Sequence, residues 1–231
     1  MEKQKQIRMT FWYFLFLIAI IFPFHIFFQQ GHSDYPLTED GIMQAEKMGE
    51  LLSEKEWDRV YSSDLGRAAR SADLIMSKSA KWDRESLIHR SPLVRELHFG
   101  VREGLSRQLT AKEAKRIRAA ELKVKENEIE DTAESKESAK ARQHKFLEQL
   151  YHEFRHHNCE ENPLKIACIS HGGFIRLFLN HYCKHESAKI KNCAASIINI
   201  KWNDISDPSS YQCEVDEREV NLCPLSSPFV P

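Results

Sequence analysis

The chain lacks an excess of charge of either sign. Its 231 residues carry 33 lysines and arginines against 34 aspartates and glutamates, which gives a formal net charge of −1 with neutral histidines. Such a balance provides no strong field to attract nucleic acid or an anionic membrane surface, so we expect no nucleic-acid partner. A small anionic ligand is still compatible with this composition, because it requires only a local cluster of cations.

The chain also lacks any Cys-x-x-Cys pair, although it has six cysteines between Cys159 and Cys223. This absence argues against a zinc ribbon or a thioredoxin-type redox site. His152 and His156 stand at helical spacing, and two interpretations of them are open: a zinc site, or the polar carboxyl end of a helix. We expect neither a bound metal nor a cofactor.

Long apolar runs are few, and the longest one lies near the amino terminus. Residues 9–28 carry no charged side chain and follow the basic residues Lys3, Lys5 and Arg8. A helix of about 20 apolar residues spans a bilayer, and preceding basic residues hold its amino end in the cytosol. Residues 1–28 are therefore predicted to be a single-pass membrane anchor, or else a segment unrelated to the following domain in a cytoplasmic protein.

From residue 29 onward, patterns typical of strands and helices alternate. Strands are predicted at 59–62, 165–170 and 195–202, with an edge strand at 211–215. Helices are predicted at 38–52, 67–79, 111–125, 143–156 and 174–183, and a polar linker or lid at 126–138. This alternation predicts a three-layer α/β fold, with helices on both faces of a mostly parallel sheet. We expect one domain over residues 29–231.

The predicted strand at 165–170 is followed by His171, Gly172 and Gly173. A strand that ends in this way places an imidazole at the carboxyl edge of the sheet, where open α/β folds bind ligands. The glycines allow backbone N–H groups to approach such a ligand closely. The alternative is a core histidine that is hydrogen-bonded to a carbonyl group.

Three further motifs precede this one. They are Gln30-Gly31-His32-Ser33-Asp34, Ser63-Asp64-Leu65-Gly66-Arg67, and Arg95-Glu96-Leu97-His98-Phe99-Gly100. Each is weak alone, but the four in this order resemble the histidine phosphatase superfamily, which is also called phosphoglycerate mutase-like. The middle of the chain is most similar to the TIGAR-type fructose-2,6-bisphosphatases. The resemblance implies a phosphorylated small molecule as the partner, with a sugar bisphosphate as the TIGAR-like case.

The resemblance also implies roles for individual residues. Arg67 and His171 would hold the phosphoryl group, and Glu96 would donate a proton to the leaving alcohol. A planar, permanently charged guanidinium suits phosphate, whose transfer requires fixed donors around the equatorial oxygens. The substrate contacts implied are Gln30, Gly31 and Gly172.

Ordinary structural roles are open for two of these residues. Arg67 could be a surface arginine in the first turn of a helix, and Glu96 could form a salt bridge with Arg95 or Arg102. Arg95, Arg102 and Arg107 could also contact a second phosphate of the ligand.

One motif of the superfamily is missing. The nucleophile of these enzymes is the histidine of an Arg-His-Gly motif, which closes the first strand a dozen or so residues before the Gln-Gly step. This chain contains no Arg-His-Gly, and His25, the nearest histidine, lacks both the preceding arginine and the following glycine. We therefore expect a domain without its first strand and with little or no phosphatase activity. The alternative is a membrane-anchored pseudophosphatase that binds a phosphorylated ligand or another protein.

Overall fold

The computed structural model describes residues 9–18, 28–80, 82, 88–157, 163–186, 194–204 and 206–215. The strands within these residues are β1 (Met9–Ile18), β2 (Arg59–Ser63), β3 (His89–Ser91), β4 (Leu164–Ser170), β5 (Ala195–Trp202) and β6 (Tyr211–Val215). The α-helices are α1 (Glu39–Leu51), α2 (Gly66–Ser77), α3 (Ala111–Leu122), α4 (Lys136–Phe154) and α5 (Gly172–Tyr182).

All of these strands belong to one sheet, in the order β3-β2-β4-β1-β5-β6. The first four strands in this order run parallel to one another, and β5 and β6 complete the sheet with antiparallel pairings. The predicted mostly parallel sheet is confirmed, and β6 lies at an edge as expected.

Helices cover both faces of the sheet, as the packing of β4 shows. Alternate residues of a strand point to opposite faces. In β4, Ile166 and Cys168 pack in one apolar cluster with α4 and α5. Ala167 and Ile169 of the same strand pack in a second cluster with α1 and α2. The two clusters are the two cores of a three-layer α/β domain.

The structure corrects the prediction for the amino-terminal apolar run. Met9–Ile18 is not helical. It forms β1, which lies between β4 and β5. These residues thus lie in the same sheet as the strands of the domain that was expected over residues 29–231. Parallel strands in a sheet with helices on both faces typically have a continuous apolar sequence, because both faces are covered.

Among the described residues, no helix is both long enough and apolar enough to cross a bilayer. His25 and the rest of residues 19–27 lie outside the described residues, as do residues 1–8. The predicted membrane anchor is therefore not supported by the part of the chain that the structure describes.

The polar segment expected at 126–138 is shorter than predicted. It ends at Ser135, whose hydroxyl group accepts a hydrogen bond from the Ser138 amide and caps α4. α4 therefore begins at Lys136, seven residues before the predicted start. The sequence analysis also missed β3, a strand of three residues that pairs with β2.

Candidate functional site

Three side chains with predicted roles follow the carboxyl ends of three neighbouring parallel strands. Arg67 lies in the first turn of α2, just after β2. His171 is the residue between β4 and α5. Glu96 lies a few residues after β3. Parallel strands end at the same edge of a sheet, and this edge is where open α/β folds bind ligands.

Arg67 is buried, with only 1% of its surface exposed, so it is not a surface arginine. Its Nη2 donates to the Gly31 carbonyl oxygen at 2.6 Å, and its Nη1 donates to the Ser33 carbonyl oxygen at 2.8 Å. Burial lowers the pKa of Arg67, whereas the negative charges of Glu96, Asp34 and Glu103 raise it. Arg67 therefore ties the Gln30-Gly31 segment to the start of α2 and brings a buried positive charge to the site.

The segment around Gly31 is held from a second side by Glu103. The Glu103 carboxylate accepts hydrogen bonds from the backbone N–H groups of His32 at 2.9 Å and Ser33 at 3.0 Å. Gly31 has φ +57°, and a β-carbon on it would lie 1.9 Å from the Glu103 Oε1 atom. Glycine is required here by conformation and by space. Glu103 had no predicted role, because His32 and Ser33 precede it by some 70 residues.

Glu96 contacts the first turn of α5. Its Oε2 atom accepts from the Gly173 N–H at 3.1 Å, and its Oε1 atom accepts from the Phe174 N–H at 2.9 Å. A carboxylate is stabilised there, because the first N–H groups of a helix have no partner within the helix. A β-carbon at position 173 would lie 2.4 Å from Glu96 Oε1, so this contact also requires the second glycine after His171.

The arginines considered as partners of Glu96 are engaged elsewhere. Arg95 donates to both carboxylate oxygens of Asp64, each at 2.6 Å. The Arg102 guanidinium lies over the Phe99 ring, 5.9 Å from its centroid.

His171 is 3% exposed, and its Nε2 atom has no hydrogen-bond partner among the described residues. The Nε2 atom of Gln30 is in the same situation. Buried polar atoms in native proteins are nearly always paired with protein, water or ligand. The Nε2 atom of the imidazole is thus not satisfied by a carbonyl oxygen of the described residues.

Burial places the pKa of His171 well below 6.5, and the positive charges of Arg67 and Arg142 act in the same direction. At a pH just below 6.5, the His171 imidazole is therefore protonated in the unfolded chain and neutral in the folded chain. The stability that depends on a neutral His171 is complete above the unfolded pKa and is lost as the pH falls below it.

This difference predicts a specific pH dependence. Between pH of about 7.5 and about 5.5, the parent should lose about 1 kcal/mol more free energy of unfolding than a His171→Gln variant. Urea unfolding of both proteins at the two pH values measures this. Equal pH dependence in the two proteins would show that His171 titrates normally.

An open cavity of about 580 Å³ lies beside the segment that carries Glu96, but Arg67, Glu96 and His171 do not line it. His32, Arg95, His98 and Arg142 line it on one side, and residues 132–135 of the predicted lid form another wall. Of the three arginines considered for a second phosphate, Arg95 lines this cavity. Arg107 is directed elsewhere, since its Nε donates to the Phe28 carbonyl oxygen at 3.0 Å.

Gly172 is the first residue of α5, directly after His171.

The alternative zinc site at His152 and His156 gains no support. In the part of the chain that the structure describes, no group of three or more histidine, cysteine or acidic side chains is placed to hold a metal ion.

Comparison with known proteins tests the resemblance that the four motifs suggested. A sequence profile of the histidine phosphatase superfamily (branch 1) matches residues 25–206. Phosphoglycerate mutase-like protein 4 of Arabidopsis thaliana is 31% identical over 177 residues, which cover 74% of this chain and 70% of the plant protein. Fructose-2,6-bisphosphatase TIGAR B of Danio rerio is 25% identical over 171 residues, 64% of this chain and 65% of the fish protein. The chain thus spans about two thirds of the length of these relatives.

A solved structure shows the same fold. A mycobacterial glucosyl-3-phosphoglycerate phosphatase, crystallised with VO3, matches with a TM-score of 0.66 and 20% sequence identity. The match covers 90% of this chain and 97% of the mycobacterial chain. Fold, profile and plant relative agree, and the chain belongs to the histidine phosphatase superfamily.

Proposed function

We propose that this protein binds phosphate monoesters of sugars at the strand ends beside His171, and that it hydrolyses them far more slowly than a superfamily member with the nucleophilic histidine. The observation that carries the proposal is the combination of the buried His171 Nε2 atom, which has no partner among the described residues, with the adjoining end of β1. His171 and Arg67 offer donors for a phosphoryl group, whereas β1 contains no histidine.

The phosphate-binding half of the proposal depends on fixed donors. The two carbonyl contacts of Arg67 use two of its five N–H groups, and the others can donate to a ligand. Gly172 is the first residue of α5, where a backbone N–H group favours an anion, whereas the next two N–H groups bind Glu96. A bound phosphate would also give the Nε2 atoms of His171 and Gln30 a hydrogen-bond partner.

The catalytic half depends on what closes β1. This strand ends at Ile18, which is paired with Ser170, the residue before His171. Ile18 is also a dozen positions before Gln30, the spacing at which the Arg-His-Gly histidine is expected. Leu17, Ile18 and Ala19 therefore take the positions in the sequence where the superfamily has arginine, histidine and glycine. None of these three residue types can attack phosphorus and form a phosphohistidine.

The sugar part of the proposal draws on the relatives and on the cavity. One relative is a fructose-2,6-bisphosphatase, and the structural neighbour acts on glucosyl-3-phosphoglycerate. The cavity of about 580 Å³ is wider than one phosphate group needs, and its walls carry the imidazoles of His32 and His98, the guanidinium of Arg95 and hydroxyl groups. Such walls suit a ligand with several hydroxyl groups or a second phosphate.

Binding and turnover should be measured on the same preparation of the full chain. Titration calorimetry with inorganic phosphate and with fructose 2,6-bisphosphate is expected to show saturable binding, and both ligands should raise Tm. Phosphate release from fructose 2,6-bisphosphate should stay at background. If neither ligand binds, the domain has a scaffold role and the proposal is wrong. If the parent turns over fructose 2,6-bisphosphate and His25→Ala abolishes this turnover, His25 is the nucleophile and the proposal is also wrong.

A further inference from the structure

Arg142 of α4 makes five hydrogen bonds at the wall of the cavity, one from each of its N–H groups. Its Nε and Nη2 donate to the two carboxylate oxygens of Glu134 at 3.0 and 2.8 Å. Its Nη1 donates to the carbonyl oxygens of Leu93 at 3.0 Å and Arg95 at 2.9 Å, and its Nη2 donates to that of Glu96 at 3.2 Å. No N–H group of Arg142 is left for a ligand, although the side chain borders the cavity.

The three carbonyl groups belong to the segment that carries Glu96. Backbone carbonyl oxygens held at three points leave this segment little freedom, so the Glu96 side chain starts from a fixed position. From there its carboxylate reaches the N–H groups of Gly173 and Phe174. Arg142 therefore acts on the start of α5 through Glu96.

A second contact of α4 reaches α5 directly. The Arg142 guanidinium lies 5.3 Å from the centroid of the Phe174 ring, and the neighbouring Gln143 donates from Nε2 to the Phe174 carbonyl oxygen at 2.9 Å. Two successive residues of α4 thus hold the Glu96 segment and the first turn of α5 against each other.

The Arg142–Glu134 ion pair is well shielded from solvent, with side-chain exposures of 16% and 11%. Bidentate pairing fixes the plane of the guanidinium as well as its position. A lysine in its place would keep the charge but could not donate in five directions. The geometry of the pair therefore matters more than its charge.

We propose that Arg142 is a positioning residue, which holds Glu96 against the amino terminus of α5 and so sets the spacing between Glu96 and His171. Its importance for ligand binding rests on the proposed function. The positioning itself is a property of the unliganded protein and can be tested without any ligand.

Hydrogen exchange of individual amides in the full chain measures this positioning. In Arg142→Lys, the amides of Gly173 and Phe174 are expected to exchange about tenfold faster, because they lose the Glu96 carboxylate as acceptor. The Ile175 amide donates to the His171 carbonyl oxygen at 2.9 Å and should keep its exchange rate. The matched control is Arg116→Lys, since Arg116 forms an exposed ion pair with Glu126 and should leave all three rates unchanged.

A double-mutant cycle shows whether Arg142 acts through Glu96. Glu96→Gln alone should accelerate exchange at Gly173 and Phe174, and adding Arg142→Lys should give no further acceleration. If Arg142→Lys does not fold, Glu134→Gln tests the same positioning, because it weakens the ion pair that orients the Arg142 guanidinium toward the three carbonyl groups. This variant should also accelerate exchange at Gly173 and Phe174.

Two results would overturn the proposal. Unchanged exchange at Gly173 and Phe174 would show that Arg142 does not hold Glu96. Equal acceleration at Ile175 and throughout β4 would show that Arg142 only contributes to global stability. Failure of the proposed function looks different: the parent would bind no phosphate, and the exchange pattern would be unaffected.

Discussion

Replacing Leu17, Ile18 and Ala19 together by arginine, histidine and glycine (L17R/I18H/A19G) is expected to give the protein phosphatase activity. The triple variant places the missing motif at the end of β1, next to the strand that leads into His171. The new histidine nitrogen would attack phosphorus and the P–O bond to the alcohol would break. Glu96, in the protonated form that the resemblance implies, would supply the proton to the alcohol. Water would then hydrolyse the N–P bond and release phosphate.

The expected gain is large because a nucleophile is worth several orders of magnitude in rate. Removal of a nucleophile from a hydrolase can cost about a millionfold, so even a partly aligned histidine should raise kcat at least ~100-fold above the parent. Phosphate release from fructose 2,6-bisphosphate and p-nitrophenyl phosphate measures kcat. Acid-labile phosphate on the substituted position 18, detected by mass spectrometry, identifies the intermediate.

A matched control separates a restored site from adventitious hydrolysis. The same triple variant with His171→Ala should lose most of the gain, because the phosphoryl group then lacks a buried donor. If a folded triple variant bound phosphate but released none from either substrate, the missing histidine would not be what limits turnover in the parent.

Arg67→Met is expected to weaken phosphate binding strongly and to destabilise the protein. The substitution removes the buried charge and leaves the carbonyl oxygens of Gly31 and Ser33 without their donors. An unsatisfied buried polar group costs roughly 1–3 kcal/mol, so the free energy of unfolding should fall by about 3 kcal/mol. The affinity for inorganic phosphate should fall at least about 30-fold, since charge-assisted hydrogen bonds are among the strongest polar contacts.

Arg90→Met is the control for this prediction. Arg90 pairs with Asp73 in a partly exposed ion pair, and such pairs contribute about 1 kcal/mol or less. Calorimetry at a temperature where both variants are folded separates affinity from stability. If Arg67→Met kept the phosphate affinity of the parent, Arg67 would serve only to hold the Gly31 segment.

Local patterns in the sequence were sufficient to predict most elements that carry the site. β4 and α5 have short-range signals: an apolar run of strand length, glycines after His171 and helical periodicity. The end of a parallel strand is also the expected place for a ligand, which is why the sequence singles out His171. Arg67 was predicted from the resemblance to the superfamily.

The parts that could not be predicted depend on contacts between distant residues. The apolar residues 9–18 match a buried strand and a membrane helix equally well, and only their pairing with β4 and β5 distinguishes the two. β3 is three residues long and has no apolar pattern of its own. The contacts of Glu103 and Arg142 with backbone groups some 50 to 70 residues away leave no trace in local sequence.

The position of β1 has a consequence for biosynthesis. β1 is made first, but its partners β4 and β5 begin at Leu164 and Ala195, so the centre of the sheet can close only when most of the chain has left the ribosome. Pairings this distant in sequence form slowly, because a large loop must close before they are gained. Until then an uncharged, aromatic-rich segment has no partner strand, and such segments are typical sites of chaperone binding and aggregation.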